Sequence, residues 1–112
     1  MNPKKIWFSK YKPSNEQLEE LGQYTAVNDL AAIEINNEKD LKEVIEELKI
    51  IINPRVGAVI FGVFHPLFRN AMFTDPYFQF VELKETWTVK SQVDTRTIYE
   101  HIRFVTTKPV IK

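Results

Sequence analysis

The 112-residue chain contains no cysteine. That absence excludes disulfides, thiolate nucleophiles and cysteine-held zinc or iron–sulfur centres. A small fold held without staples fits the cytosol, so a cytoplasmic protein is expected. Glycine is scarce, with three in all. Neither G-x-G-x-x-G nor G-x-x-x-x-G-K-[ST] occurs, so the usual glycine-rich cradles for nucleotide phosphates are missing. Histidine occurs twice, at His65 and His101. That spacing is not a metal-ligand pair of the H-E-x-x-H kind, and neither a metal nor another cofactor is expected. Charge of one sign does not prevail, since 15 Lys+Arg stand against 15 Asp+Glu. No global field exists to hold a long nucleic acid, although a local basic cleft remains open. No apolar run approaches the ~18 residues of a membrane span. The opening "MNPKKIWFSK" has no long apolar core, so no secretory signal is expected.

What is there reads as one globular domain. The apolar share is 44% and the charged share 27%, ordinary for a chain with a single core. Lys5 to Ser9 reads as a short strand. Ser14 follows as an N-cap with Gln17 three residues on, a capping box, and Gly22 supplies the helix stop. Leu30 to Asn36 reads as a second strand. Asn37 then caps a helix over Glu38 to Ile52, whose Leu41, Val44, Ile45, Leu48 and Ile52 follow helical spacing. Asn53-Pro54 ends it. Val56 to Phe64 is apolar or glycine throughout, which suits a third strand buried on both faces of a parallel sheet. A short helix from Pro66 to Phe73 follows.

The β-α-β-α-β order predicts a small Rossmann-like three-layer α/β domain with parallel strands in the order 2-1-3. The last third changes character. "YFQFVELKETWTVKS" and "TIYEHIRFVTT" flank a turn at "QVDTR" and predict an antiparallel hairpin added to the sheet. Val81, Leu83, Trp87 and Val89 share one face, broken only by Glu85; Ile98, Ile102 and Phe104 share another. This surplus of aromatic and β-branched residues predicts a homodimer contact.

In an open α/β sheet, ligands bind at the carboxyl ends of the strands where strand order reverses. With order 2-1-3 that point lies between the first and third strands. Ser9-Lys10-Tyr11 leaves one and His65-Pro66 leaves the other, and Asn36 closes the second strand at the same edge. Helix starts at Ser14 and Pro66 would offer N–H groups to an anion. Each residue also has a plain reading. His65 would cap the strand end, Lys10 and Lys12 would be solvated loop charges, and Arg69 an exposed helix charge. His101, between Tyr99 and Arg103 on one face, would be a solvent or interface histidine. Glu43, Glu46 and Glu47 alternate with lysines and read as a solvated face.

The stretch Phe8-Ser9-Lys10-Tyr11, Pro13-Ser14, Glu16-Gln17-Leu18, together with "AVIFGVFHPLF", resembles small CRISPR-associated proteins of type III systems and related phage-encoded proteins. The likeness covers roughly the first 70 residues. Tyr11 stands where that family commonly has a histidine, and Lys10 where it has arginine or glycine. The resemblance implies a CARF-like homodimer that recognises cyclic oligoadenylate, and in some members cleaves it as a metal-independent ring nuclease. From their placement at the strand ends, and not from the resemblance, His65 is expected as general base or acid and Lys10 beside it as catalytic, with Ser9, Tyr11, Asn36 and Arg69 contacting the ligand. The alternative expectation is a non-catalytic interaction module that uses the aromatic stretch Phe64 to Phe80 and the hairpin.

Overall fold

The computed structural model describes residues 3–93 and 95–107, with backbone alone for residues 86–93, 97–102 and 107. Five strands form one mixed sheet. They are β1 (Lys4–Phe8), β2 (Thr25–Ala26), β3 (Ala58–Gly62), β4 (Val81–Val93) and β5 (Arg96–Thr107), in the order β2-β1-β3-β4-β5. β1 is parallel to β2 and β3, β3 is parallel to β4, and β5 returns antiparallel to β4. The expected α/β architecture, the 2-1-3 order and the added hairpin are all present.

Four helices pack on the sheet: α1 (Asn15–Leu21), α2 (Asn28–Ala31), α3 (Glu38–Ile51) and α4 (Pro66–Thr74). Strand alternation divides the core. Ile6, Phe8, Ile60 and Leu83 point to one face, against Val44 and Leu48 of α3 and Phe68 and Met72 of α4. Trp7 and Phe61 point to the other, where Leu21 of α1 and Phe104 of β5 close a smaller cluster. Phe104 meets both Trp7 and Phe61 edge-on, at 6.1 Å and 4.8 Å between ring centroids. β3 is thus covered on both sides, as its unbroken apolar run requires.

The helix ends follow their local chemistry. Ser14 Oγ accepts the Gln17 N–H at 3.2 Å, and Gln17 Oε1 accepts the Ser14 N–H at 2.8 Å. Asn37 Oδ1 accepts the Asp40 N–H at 3.0 Å and starts α3. Gly22, at φ +69°, ends α1 in a backbone conformation that other residues avoid.

The second strand is a correction. Leu30 to Asn36 forms no strand. The sheet position beside β1 is taken by Thr25–Ala26, which pair with Ile6 and Trp7, and the Val27 N–H continues the contact to the Trp7 carbonyl. Leu30 and Ala31 belong to the single turn of α2, and Ile33 and Ile35 pack half-buried against the main core. Ala32, Glu34 and Asn36 between them are exposed. The alternation is real, but it reports one-sided burial of an irregular segment lying over the sheet's end. Burial on one side does not require a hydrogen-bonded neighbour.

Glu85, the break in the apolar face of β4, has a physical reason. Its carboxylate accepts from the Arg69 guanidinium of α4 at 3.0 Å. The side chains of Trp87, Val89, Ile98, Tyr99, His101 and Ile102 lie outside the described residues, and so does Asp94 of the expected turn. The backbone register does shift between Trp87 and Thr88, opposite Arg103 and His101, so a bulge interrupts the face pattern there. Among the described residues no helix is long and apolar enough to cross a membrane.

Candidate functional site

β1 and β3 run side by side, Phe8 opposite Gly62, so the segments leaving their carboxyl ends lie together. A Cβ on Gly62 would run into the Phe8 carbonyl, so only glycine permits the close approach at this point. Beyond it the chain after β1 bends sharply and is fastened in three places. Ser9 Oγ accepts the Tyr11 N–H at 3.2 Å, the Tyr11 carbonyl accepts the Trp7 indole N–H at 2.7 Å, and the Ser9 carbonyl accepts from the Asn28 amide at 2.6 Å. The loop that carries Lys10 and Lys12 is therefore held by the sheet and by α2.

A cavity of about 340 Å³ opens at this point, lined by Ser9, Lys10, Tyr11, Lys12, Gln17 and Val63 among others. It lies where the strand order reverses. No carboxylate lines it. Both lysines are exposed, and the Lys10 ammonium sits 5.4 Å from the centre of the Tyr11 ring. Because the Ser9 oxygen acts as acceptor toward Tyr11, its hydroxyl proton remains to be donated. The capping box likewise engages the Gln17 oxygen and leaves the amide hydrogens to donate. The cleft thus offers two cations and two neutral donors.

The other expected site residues lie beside this cleft or apart from it. Asn36 and His65 line a neighbouring cavity of about 460 Å³, which shares Phe8, Ala31 and Val63 with the first. Arg69 lines neither, and its guanidinium is engaged with Glu85. The helix starts offer less to an anion than expected. Ser14 occupies the Gln17 N–H, Pro66 has no N–H, and His65 Nδ1 accepts the Leu67 N–H at 3.1 Å. His65 is the N-cap of α4. With Nδ1 accepting, the neutral ring carries its proton on Nε2 and presents a donor to the cavity. That arrangement suits a hydrogen-bond donor and does not suit a general base, and the ring could act as a general acid only by giving up its bond to the Leu67 N–H.

A larger cavity, about 770 Å³ between α2 and α3, is lined by Asp29, Glu43, Glu46 and Glu47 among others. Four carboxylates repel an anion, so size alone does not choose the site. Lys12 was visible in the sequence as a charge of ambiguous role. Gln17 read there only as a helix cap. Among the described residues no cluster of three or more histidine or carboxylate side chains could hold a metal ion.

The fold and the position of the cleft define an open, Rossmann-like α/β domain with a crevice at the reversal of strand order. Compared with models of protein families, with curated proteins and with solved structures, the chain matches none.

Proposed function

We propose that the chain binds a small phosphorylated ligand in the cleft at the carboxyl ends of β1 and β3. One observation supports this above the rest. Lys10 and Lys12 bring two exposed ammonium groups to a crevice with no carboxylate in its lining. A protein of zero formal charge holds an anion well enough if the cleft alone is positive. The Ser9 hydroxyl and the Gln17 amide would add hydrogen bonds to phosphate oxygens, and Tyr11 would flank the ligand.

The resemblance to type III CRISPR-associated proteins makes cyclic oligoadenylate the first ligand to test. Cleavage without a metal would begin with a ribose 2′-hydroxyl attacking its own phosphodiester. The O2′–P bond forms and the P–O5′ bond breaks. The 2′ proton passes to solvent and the leaving 5′ oxygen takes one from solvent, with the His65 Nε2–H as a hydrogen-bond donor toward it from the neighbouring cavity. Lys10 would stabilise the charge that grows on the non-bridging oxygens. The same reading takes the protein as a homodimer joined through the β4–β5 hairpin.

Thermal melting with and without cyclic tetra-adenylate tests binding, because a ligand specific for the folded state raises the melting temperature by mass action. Lys10→Ala should weaken that binding at least about tenfold, as expected for one charge-assisted hydrogen bond. If cyclic tetra-adenylate and simple nucleotides all leave melting unchanged, the reading fails, and the hairpin as a protein-binding surface takes its place.

A further inference from the structure

We propose that the groove between α2 and α3 is a docking site for a basic amphipathic helix of a partner protein. The groove shares no lining residue with the lysine cleft, so the proposal stands apart from the phosphate reading. Its floor is apolar. Val27, Leu30, Ile33 and Ile51 are only half-buried there, and each keeps part of its surface open to water. At about 770 Å³ the cavity has room for more than one aliphatic side chain.

The walls are acidic. Asp29 stands on α2, and Glu43, Glu46 and Glu47 stand on α3. All four are exposed. Glu46 meets Lys42 at 3.9 Å, whereas Asp29, Glu43 and Glu47 pair with no cation among the described residues. The helix gains nothing from this arrangement. Glu43 and Glu47 lie four positions apart, where like charges repel across one turn. The chain as a whole is neutral, so these carboxylates are a local excess. Among the described residues they do not converge as metal ligands. Charges spread along a wall fit a partner whose cations are spread in the same way.

A helix has that form. The α3 wall runs from Glu43 to Ile51, a rise of about 12 Å or two helical turns. A partner helix lying along it sets apolar side chains, spaced three and four apart, on the floor. Its Lys and Arg side chains then flank the seam and reach the carboxylates of both walls. A polyamine matches the charge but leaves the floor wet. An acidic helix covers the floor but meets four carboxylates.

Fluorescence anisotropy with three labelled synthetic peptides tests this. The first carries leucines three and four apart with lysines between them. The second has the same composition with its leucines scattered around the helix. The third has glutamate in place of every lysine. The first should bind at least about tenfold more tightly than the second, the difference made by apolar area placed on one face. The third should not bind. Glu43→Gln combined with Glu47→Gln should weaken the first peptide about fivefold, as expected for two partly exposed charge pairs. Glu16→Gln combined with Glu19→Gln removes the same charge from α1, outside the groove, and should leave the affinity unchanged. All four positions are exposed, and unchanged melting temperatures confirm intact folds. Equal binding of the two lysine peptides overturns the proposal, because charge alone then explains the contact. Equal losses in the two double variants overturn it as well, because the contact is then not in this groove. So does a first peptide that fails to bind.

Discussion

Gly57 has φ +78°, and its α-carbon lies against the main chain of Phe80 at the entry to β4. An added methyl would meet the Phe80 carbonyl and force an L-residue into the left-handed region. The two strands cannot separate to relieve it, because Ala58 and Val81 pair immediately afterwards. Gly57→Ala should therefore cost at least about 2 kcal/mol, measured as a lower urea midpoint at unchanged slope. Full stability in that variant would mean that β3 and β4 are not packed this closely. His65 shows a different limit at the same scale. Its ring is committed at Nδ1 to the start of α4, so any chemistry it performs uses Nε2 alone.

At the scale of elements, the passage from α4 to β4 depends on Asp75. Its carboxylate accepts the Tyr77 N–H at 2.9 Å, which starts a 3-10 turn over Pro76–Phe78, and it pairs with Lys49 of α3 at 3.0 Å. The Tyr77 hydroxyl then donates to the carbonyls of Lys49 and Ile52 and ties the turn to the end of α3. The Tyr77 hydrogen bond, followed by that from Lys49, holds the Asp75 carboxyl below its ordinary value of 3.8. A carboxyl depressed in the folded state adds stability that is complete above the unfolded pKa. That stability is lost as pH falls through the lower, folded one. Asp75→Asn keeps an acceptor for Tyr77 and loses the charge. It should be about 0.5–1 kcal/mol less stable than wild type at pH 7, a figure set low because the pair is partly exposed. The gap should shrink as pH falls below about 4. Urea titrations of both proteins at pH 7 and pH 3 read this directly; a gap undiminished at pH 3 would remove the charge from the explanation.

At the scale of the whole molecule, the hairpin reaches beyond the rest of the sheet. On β4, β3 pairs only with Val81 to Glu85, so from Thr86 onward β4 has β5 as its single neighbour among the described residues. A two-stranded ribbon is marginally stable alone in water. β5 is also an edge strand, and edges invite a further strand unless covered. α1 covers part of it, where the Glu20 carboxylate accepts the Phe104 N–H at 3.1 Å. A second copy of the chain pairing along the remainder would complete the ribbon. Light scattering at micromolar concentration should then give twice the 13.2 kDa of one chain. A monomer mass under those conditions would defeat the homodimer.

The sequence by itself determined what short-range chemistry controls. The caps at Ser14 and Asn37 are bonds between residues three apart, so they were legible as spacing, whereas His65 read as a cap on the strand end and starts α4 instead. The face of α3 and the doubly buried β3 were legible because periodicity records burial directly. The place of the cleft followed from strand order, and Ser9, Lys10 and Tyr11 do line it. Only the tertiary structure decided the rest. Thr25–Ala26 won the edge of β1 from the better-looking Leu30 to Asn36, because register with Ile6 and Trp7 is a long-range match that no local pattern states. Arg69 left the cleft because α4 sets it against Glu85, sixteen positions away. Gln17, Lys12 and Gly62 share a cavity only because β1 and β3 pair in parallel. A binding site joins residues distant along the chain, and the energy that gathers them comes from burying Ile6, Phe8 and Ile60, none of which offers a polar group to a ligand.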